Sequence, residues 1–208
     1  MTETEWHKAL EQRHGAELQQ KFSAASVAVC GLGGLGSNVA ISLARAGVGT
    51  LMLIDSDRVD ISNLHRQQYA ASQLGMYKTE AMKQTLSEIS PYCNVITHTV
   101  KLTEENLSLI SDCGIVCECF DNAECKSMLV NGVAERYPEK YIVAASGMSG
   151  LHRSNRIHTK RLGKRLYICG DGMSDVADDG TLFAPRVMLC AAHQANTVLR
   201  IIAGKSEV

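Results

Sequence analysis

The chain of 208 residues carries 21 Lys and Arg against 22 Asp and Glu, with 45% hydrophobic residues and 8 cysteines, which suits one compact domain at roughly 100–200 residues per domain. The formal net charge of −1 speaks against a general nucleic-acid binder, which needs a clear excess of Lys and Arg. Only 3 Pro, beside 17 Gly, argues against long disordered or collagen-like stretches.

The start, Met1-Thr-Glu-Thr-Glu-Trp-His-Lys8, is polar and acidic. It lacks the basic and then apolar sequence of a secretory leader, and no later run approaches the roughly 18 apolar residues of a membrane span. A cytoplasmic protein without membrane contact is expected. Thiols stay reduced there, so the cysteines do not form a disulfide framework. Cys30, Cys93, Cys113, Cys117, Cys119, Cys125, Cys169 and Cys190 include no C-x-x-C pair, the usual half of a structural zinc site. Cys113, Cys117 and Cys119 lie on or beside an apolar run, as buried free thiols do.

In chain order, short β-branched runs alternate with helical segments, the pattern of a parallel-sheet α/β domain. Residues 1–25 form an N-terminal helical segment. Val27–Cys30 reads as a buried strand, Ser37–Ala46 as a helix, and Thr50–Ile54 as a second strand ending at Asp55. Lys78–Ile89 is helical and stops at Ser90-Pro91; Asn94–Val100 is the third strand. Thr103 opens a helix with capping-box character, because Asn106 is followed by apolar residues and Glu104 and Glu105 sit in its first turn. Gly114–Phe120, Ala123–Tyr137 and Tyr141–Ala145 follow as strand, helix and strand. After Gly150 come a strand around Asn155–Thr159, a Gly- and Asp-rich loop from Gly170 to Gly180, and a long apolar helix from about Arg186 to Ala203. The expected fold is a single α/β domain over 1–208. It is Rossmann-like and doubly wound, with a mostly parallel sheet (26–150), helices on both faces, and a short C-terminal extension (151–208).

Gly31-Leu-Gly-Gly-Leu-Gly36 matches G-x-G-x-x-G between a strand and a helix. In that motif the first glycine allows the tight turn, the second admits a phosphate to the backbone N–H groups, and the third allows close helix packing. The helix N-terminus supplies positive charge without a net excess of cations. Asp55 follows about twenty residues later, where a carboxylate can accept ribose hydroxyls. These features serve NAD and ATP equally. A nucleotidyl transferase must also neutralise a triphosphate, with cations and usually magnesium.

The segment Asp55 to Gln68 is dense in hydrogen-bonding groups just after a strand, at the usual ligand edge of such a sheet. In it, Arg66 can stabilise phosphoryl charge while Asn63 and Gln67 orient the group; a plain solvated loop is the other reading. Lys78 begins a helix, where a cation is electrostatically unhelpful, so either an anion lies nearby or it is a surface lysine. Asp121 can hold Mg²⁺ or cap the helix that begins near Ala123.

Five ordered pieces, Val29–Ser37, Leu53–Asp57, Ser62–Gln67, Gly75–Lys78 and Cys119–Asn122, resemble the motif set of the ThiF/MoeB/HesA family, relatives of ubiquitin-activating enzymes. The resemblance runs from about Arg13 to Gly204. Leu166–Asp171 and Ala191–Asn196 are most similar to the short ThiF-like branch. The resemblance implies ATP- and Mg²⁺-dependent adenylylation of the C-terminal glycine of a ubiquitin-like sulfur carrier with a Gly-Gly terminus, the thiazole-synthesis carrier being the candidate. It implies that Gly31, Gly33, Gly34 and Gly36 shape the nucleotide loop, and that Asp55, Asp57 and Asn122 belong to the nucleotide site. Asn63, Arg66, Gln67 and Lys78 then handle phosphates, and Asp121 places Mg²⁺. A homodimer is implied, in which Arg13 reaches the partner's site, and residues 151–208 dock the carrier.

Larger members carry two C-x-x-C zinc pairs and a reactive cysteine before the final helix. Here Leu166 stands where the first zinc cysteine would fall, and Asp175–Gly180 contains no cysteine, so zinc is not expected and adenylylation is the expected step. Cys169 is the candidate substitute nucleophile, and Cys190 with His193 sits at metal-ligand spacing on a helix that also reads as plain core. An NAD-dependent oxidoreductase and a non-catalytic nucleotide-binding partner are the competing functions.

Overall fold

The computed structural model describes residues 1–205 and Glu207; Ser206 and Val208, at the end of the expected extension, lie outside the described residues. Helices α1 (Glu3–His14) and α2 (Ala16–Ser23) precede the sheet. The sheet strands are β1 (Ser26–Cys30), β2 (Thr50–Ile54), β3 (Asn94–His98), β4 (Ile115–Glu118), β5 (Tyr141–Ala145), β6 (His158–Leu162) and β7 (Leu166–Gly170). Helices α3 (Gly34–Arg45), α4 (Lys78–Ile89), α5 (Ala123–Arg136), α6 (Val176–Asp179) and α7 (Ala184–Ile202) connect and cover them.

The order across the sheet is β3-β2-β1-β4-β5-β7-β6. Every pairing is parallel except β6 with β7. Cys30 pairs with Ile54 on one side and with Glu118 on the other. The next residue of each strand, Gly31, Asp55 or Cys119, therefore emerges at one level. Because β2 and β4 flank β1 on opposite sides, this is the switch point where such sheets open a crevice at their carboxyl ends.

Strands buried on both faces read as continuous apolar runs, and β1, β2 and β4 do so. Val27, Val29, Leu51, Leu53 and Cys117 pack into a core shared with α3, α4 and α7, while Ala28, Cys30, Ile54 and Val116 pack with α5 and the segment before β4. Burying each large aliphatic side chain contributes about 1.5–3 kcal/mol. The buried face of α7 repeats at helical spacing as Val187, Cys190, Ala191, Gln194, Ala195 and Val198. Gln194 pins that helix to the sheet, its Nε2 donating to the carbonyls of Glu118 (3.0 Å) and Val143 (3.1 Å).

Three expectations are corrected. Glu104–Ile110 is a 3₁₀ segment; the Asn106 carboxamide accepts the Thr103 N–H at 2.8 Å. The strand expected at Asn155–Thr159 lies instead at His158–Leu162, after a 3₁₀ turn at Ser154–Arg156. It pairs with β7, which sequence reading treated only as a motif. Within the Gly- and Asp-rich loop, Asp175 caps the short helix α6 by accepting the Ala177 N–H.

Candidate functional site

A cavity of about 660 Å³ opens at the carboxyl ends of β1, β2, β4 and β5. Gly31, Gly33, Gly34 and Leu35 line it after β1, and Asp55, Asp57, Asn63, Arg66, Gln67 and Lys78 line it around β2. Asp121 and Lys126 line it beyond β4. Most residues singled out in the sequence therefore converge here.

Helix α3 begins at Gly34 with no side-chain cap, so its first turn offers backbone N–H groups and partial positive charge to an anion in the cavity. Gly31 has φ +90, and a Cβ there would lie 2.8 Å from the Cys119 carbonyl oxygen. Gly36 does not line the cavity. Its role is packing, because a Cβ would lie 1.8 Å from the Gly31 carbonyl oxygen.

Asp55 fastens this loop. Its Oδ2 accepts the Leu32 N–H at 2.6 Å and its Oδ1 accepts the Asp57 N–H at 2.7 Å. Burial raises its pKa, while Lys78 and the two N–H groups pull the other way. The Lys78 ammonium, buried at the first residue of α4, donates to Asp57 Oδ2 at 2.8 Å and stands 3.9 Å from Asp55 Oδ2. With its side chain 65% exposed, Asp57 is the more accessible carboxylate.

Asn63 ends a 3₁₀ turn capped by Asp60, and its carbonyl receives the N–H groups of both Arg66 and Gln67. That turn aims Arg66 and Gln67 at the glycine loop. Arg66 is half-buried beside the exposed His65, with Nη1 3.3 Å from the ring Nε2. Gln67 is only 7% exposed, yet its Oε1 has no hydrogen-bond partner. An unpaired buried amide is costly, and the cavity is the place from which a ligand can satisfy it. Rotating the amide presents the NH₂ group to the same space.

Asp121 is exposed at the cavity. The helix cap is Asn122, whose Oδ1 accepts the N–H groups of Glu124 (2.9 Å) and Cys125 (3.0 Å). Asn122 itself is not among the residues that line the cavity, although its neighbours Asp121 and Ala123 are. Arg13 lies exposed in the last turn of α1, also outside the cavity.

Sequence reading missed Lys126. Its Nζ donates to both oxygens of buried Glu118 (3.1 and 2.9 Å) and to the Ala145 carbonyl (3.0 Å). Burial raises the Glu118 pKa against the opposing pull of Lys126. Ser146, Gly147, Ser149, Ser174 and Asp175 were missed as well. The end of β5 was a usable signal for the first three, by the same rule that found Asp55. Cys169 is fully buried, and burial raises its thiol pKa although Thr159 and Thr197 oppose it; it is not an accessible nucleophile. Cys190 points at the Cys169 carbonyl (3.5 Å) and His193 at the Thr159 hydroxyl (3.0 Å), so the two do not share a ligand.

The sequence is 34% identical over 194 residues to the adenylyltransferase and sulfurtransferase UBA4 of Candida glabrata, covering 89% of this chain and 44% of that protein. It is 42% identical over 113 residues to the molybdopterin-synthase adenylyltransferase of Haemophilus influenzae, covering 53% and 46%. The chain thus spans less than half the length of these relatives. In fold it is similar to E. coli tRNA N6-threonylcarbamoyladenosine dehydratase, TcdA, in complex with ATP, with a TM-score of 0.84 over 96% of this chain and 94% of that one, at 22% identity. Residues 7–208 match the ThiF family, and the chain belongs to that family.

Proposed function

We propose that the chain is an ATP-dependent adenylyltransferase that activates the C-terminal glycine carboxylate of a ubiquitin-like sulfur carrier, with the thiazole-synthesis carrier as the first candidate. The observation that carries this reading is the meeting of an uncapped helix N-terminus, Arg66, Lys78 and the exposed Asp121 in one cavity. A dinucleotide needs the first of these; a transferring triphosphate needs all of them. The relatives named as adenylyltransferases, and the fold neighbour solved with ATP, support the same reading.

In the reaction, a carboxylate oxygen of the carrier attacks the α-phosphorus of ATP. The bond from that phosphorus to the bridging oxygen breaks, and pyrophosphate leaves with the electron pair. The nucleophile arrives ionised, so the protein supplies positioning and charge stabilisation and no proton relay. The α3 N–H groups and Gln67 hold phosphate oxygens, Arg66 spreads the developing charge through its planar fork, and Lys78 is braced by Asp57 for the same work. Mg²⁺ takes one or two carboxylates together with substrate phosphates, which fits a single exposed Asp121; when bound, it neutralises phosphate charge.

The assembly proposed is a homodimer. Helix α1 buries none of its residues within the chain, leaving a face for a second copy, to whose cavity Arg13 would be presented. No helix among the described residues is long and apolar enough to cross a membrane, and action in the cytoplasm completes the proposal. The test is ATP–pyrophosphate exchange with a panel of ubiquitin-like carriers ending in Gly-Gly. Carrier-dependent exchange is expected; none with any carrier, together with tight NAD binding, would overturn it.

A further inference from the structure

Two pieces of sequence have no part in holding the nucleotide: the end of β7 at Asp171, and Arg186 at the third position of α7. A cation there opposes the helix dipole, so Arg186 needs another reason for its place. Its Nη2 donates to Asp171 Oδ2 at 2.8 Å, and its Nη1 donates to the carbonyls of His152 (2.8 Å) and Arg153 (3.2 Å). A single guanidinium thus joins β7, the loop after β5 and α7.

The other oxygen of Asp171 shapes a turn. Oδ1 accepts the N–H groups of Met173 (2.9 Å) and Ser174 (2.8 Å) and the Ser174 hydroxyl (3.0 Å). The same turn is laced to the end of β5, the Asp171 N–H donating to Gly147 and the Gly172 N–H to Ser146, at 2.9 and 3.0 Å. Ser174 Oγ in turn accepts the Ser149 N–H at 3.2 Å. At the far end of the strap 171–183, Asp179 accepts from the Ser149 hydroxyl and contacts His152, and the Gly150 N–H donates to Thr181.

Ser146, Ser149, Ser174 and Asp175 line the cavity on its β5 side, whereas Asp55, Asp57 and Lys78 stand on the β2 side. Asp171 and Arg186 side chains are 1% and 5% exposed. So deep an ion pair is weak evidence for stability, since apolar replacements often serve as well; what it does give is fixed geometry. We propose that Arg186 and Asp171 are positioning residues that clamp the strap 171–183 against the end of β5, and so hold the cavity wall that receives the carboxylate-bearing substrate rather than the nucleotide. The assignment of that wall to the substrate rests on the adenylyltransferase reading above; the clamp itself does not.

The test uses the full chain with Asp171→Asn, which keeps the acceptor facing Met173 and Ser174 but removes the charge, and Arg186→Lys, which keeps the charge but loses the fork. Three quantities are read: ATP affinity, hydrogen exchange of residues 171–183, and the KM for carrier and for ATP in pyrophosphate exchange. The expected result is ATP affinity within about twofold of the unmodified chain, strap exchange faster by about tenfold, and a carrier KM raised about tenfold while the ATP KM holds. Parallel loss of both KM values, or an unchanged strap, would refute the clamp. If Asp171→Asn does not fold, Arg186→Lys carries the same comparison. If the unmodified chain shows no exchange with any carrier, the carrier reading fails alone, and ATP affinity with strap exchange still decides for or against the clamp.

Discussion

Lys78 Nζ lies 2.8 Å from Asp57 Oδ2 and 3.9 Å from Asp55 Oδ2, so one ammonium holds together the two carboxylates that follow β2. Asp55 in turn ties down the backbone of the glycine loop at Leu32. Lys78 therefore reaches the phosphate loop by two routes: directly, as a cation in the cavity, and through Asp55.

Replacing Lys78 with Met should weaken ATP binding by at least about tenfold, since a cation beside the phosphates is lost and two carboxylates are left facing each other. The Asp55 pKa, already raised by burial, loses the nearest charge opposing that rise. Titration calorimetry with ATP across the acidic range is the measurement; affinity close to that of the unmodified chain would show that Lys78 serves only the loop.

Gly33 and Gly36 separate ligand space from packing. A Cβ at Gly33 meets nothing nearer than Gln67 Nε2 at 3.7 Å, whereas one at Gly36 falls 1.8 Å from a backbone oxygen. Gly36→Ala should cost about 3 kcal/mol or prevent folding, as overpacking does. Gly33→Ala should fold normally yet bind ATP less tightly, because the added methyl stands where phosphate must approach. Thermal melts beside ATP titrations distinguish the two.

Arg66→Lys keeps the charge and removes the fork. The expected loss is in kcat for pyrophosphate exchange, by roughly 10²–10³-fold, the scale of removing one transition-state donor, with ATP affinity changed far less. Equal losses in affinity and turnover would place Arg66 in ground-state binding instead.

Much of this site was legible because residues at the ends of buried strands are fixed by local pattern. Val27–Cys30 and Thr50–Ile54 read as strands, so the sequence pattern alone puts Gly31 and Asp55 at the carboxyl edge. What was illegible depends on partners distant in the chain. Lys126 looks like any helix lysine until Glu118 on β4 and the carbonyl of Ala145 on β5 are beside it. Strand β6 is a polar edge, His158-Thr-Lys-Arg-Leu162, stabilised by pairing with β7 rather than by alternation of its own. The start of α5 at Ala123 was legible, but the cap fell to Asn122, the residue immediately before it, and not to Asp121.

Asp171 sets an acid limit on stability. Burial raises its pKa, but the N–H groups of Ser174 and Met173, the Ser174 hydroxyl and Arg186 outweigh that and hold it at about 2, below the ordinary 3.8. A depressed folded-state value stabilises the fold above the ordinary pKa, by about 2 kcal/mol. That contribution should disappear as pH falls from about 4 towards 2. Urea unfolding over this range should show the slope in the unmodified chain and its reduction in Asp171→Asn; identical slopes would sink the assignment.

Glu118 behaves with the opposite sign. Burial raises its folded-state pKa despite Lys126, so the folded state binds the extra proton, and stability falls as pH rises from the ordinary carboxyl value through the raised one. Lys126→Met strands the buried carboxylate and should cost about 3 kcal/mol at neutral pH, with the loss shrinking in acid as Glu118 takes up its proton. Adding Glu118→Gln to Lys126→Met should recover most of that loss, because the side chain left behind is neutral and can still accept the Phe120 N–H, which Glu118 Oε1 receives at 2.7 Å. Denaturation midpoints of the two single variants and the double variant close the cycle. If the double variant is as unstable as Lys126→Met alone, the cost comes from the lost contact with the Ala145 carbonyl and not from an uncompensated charge.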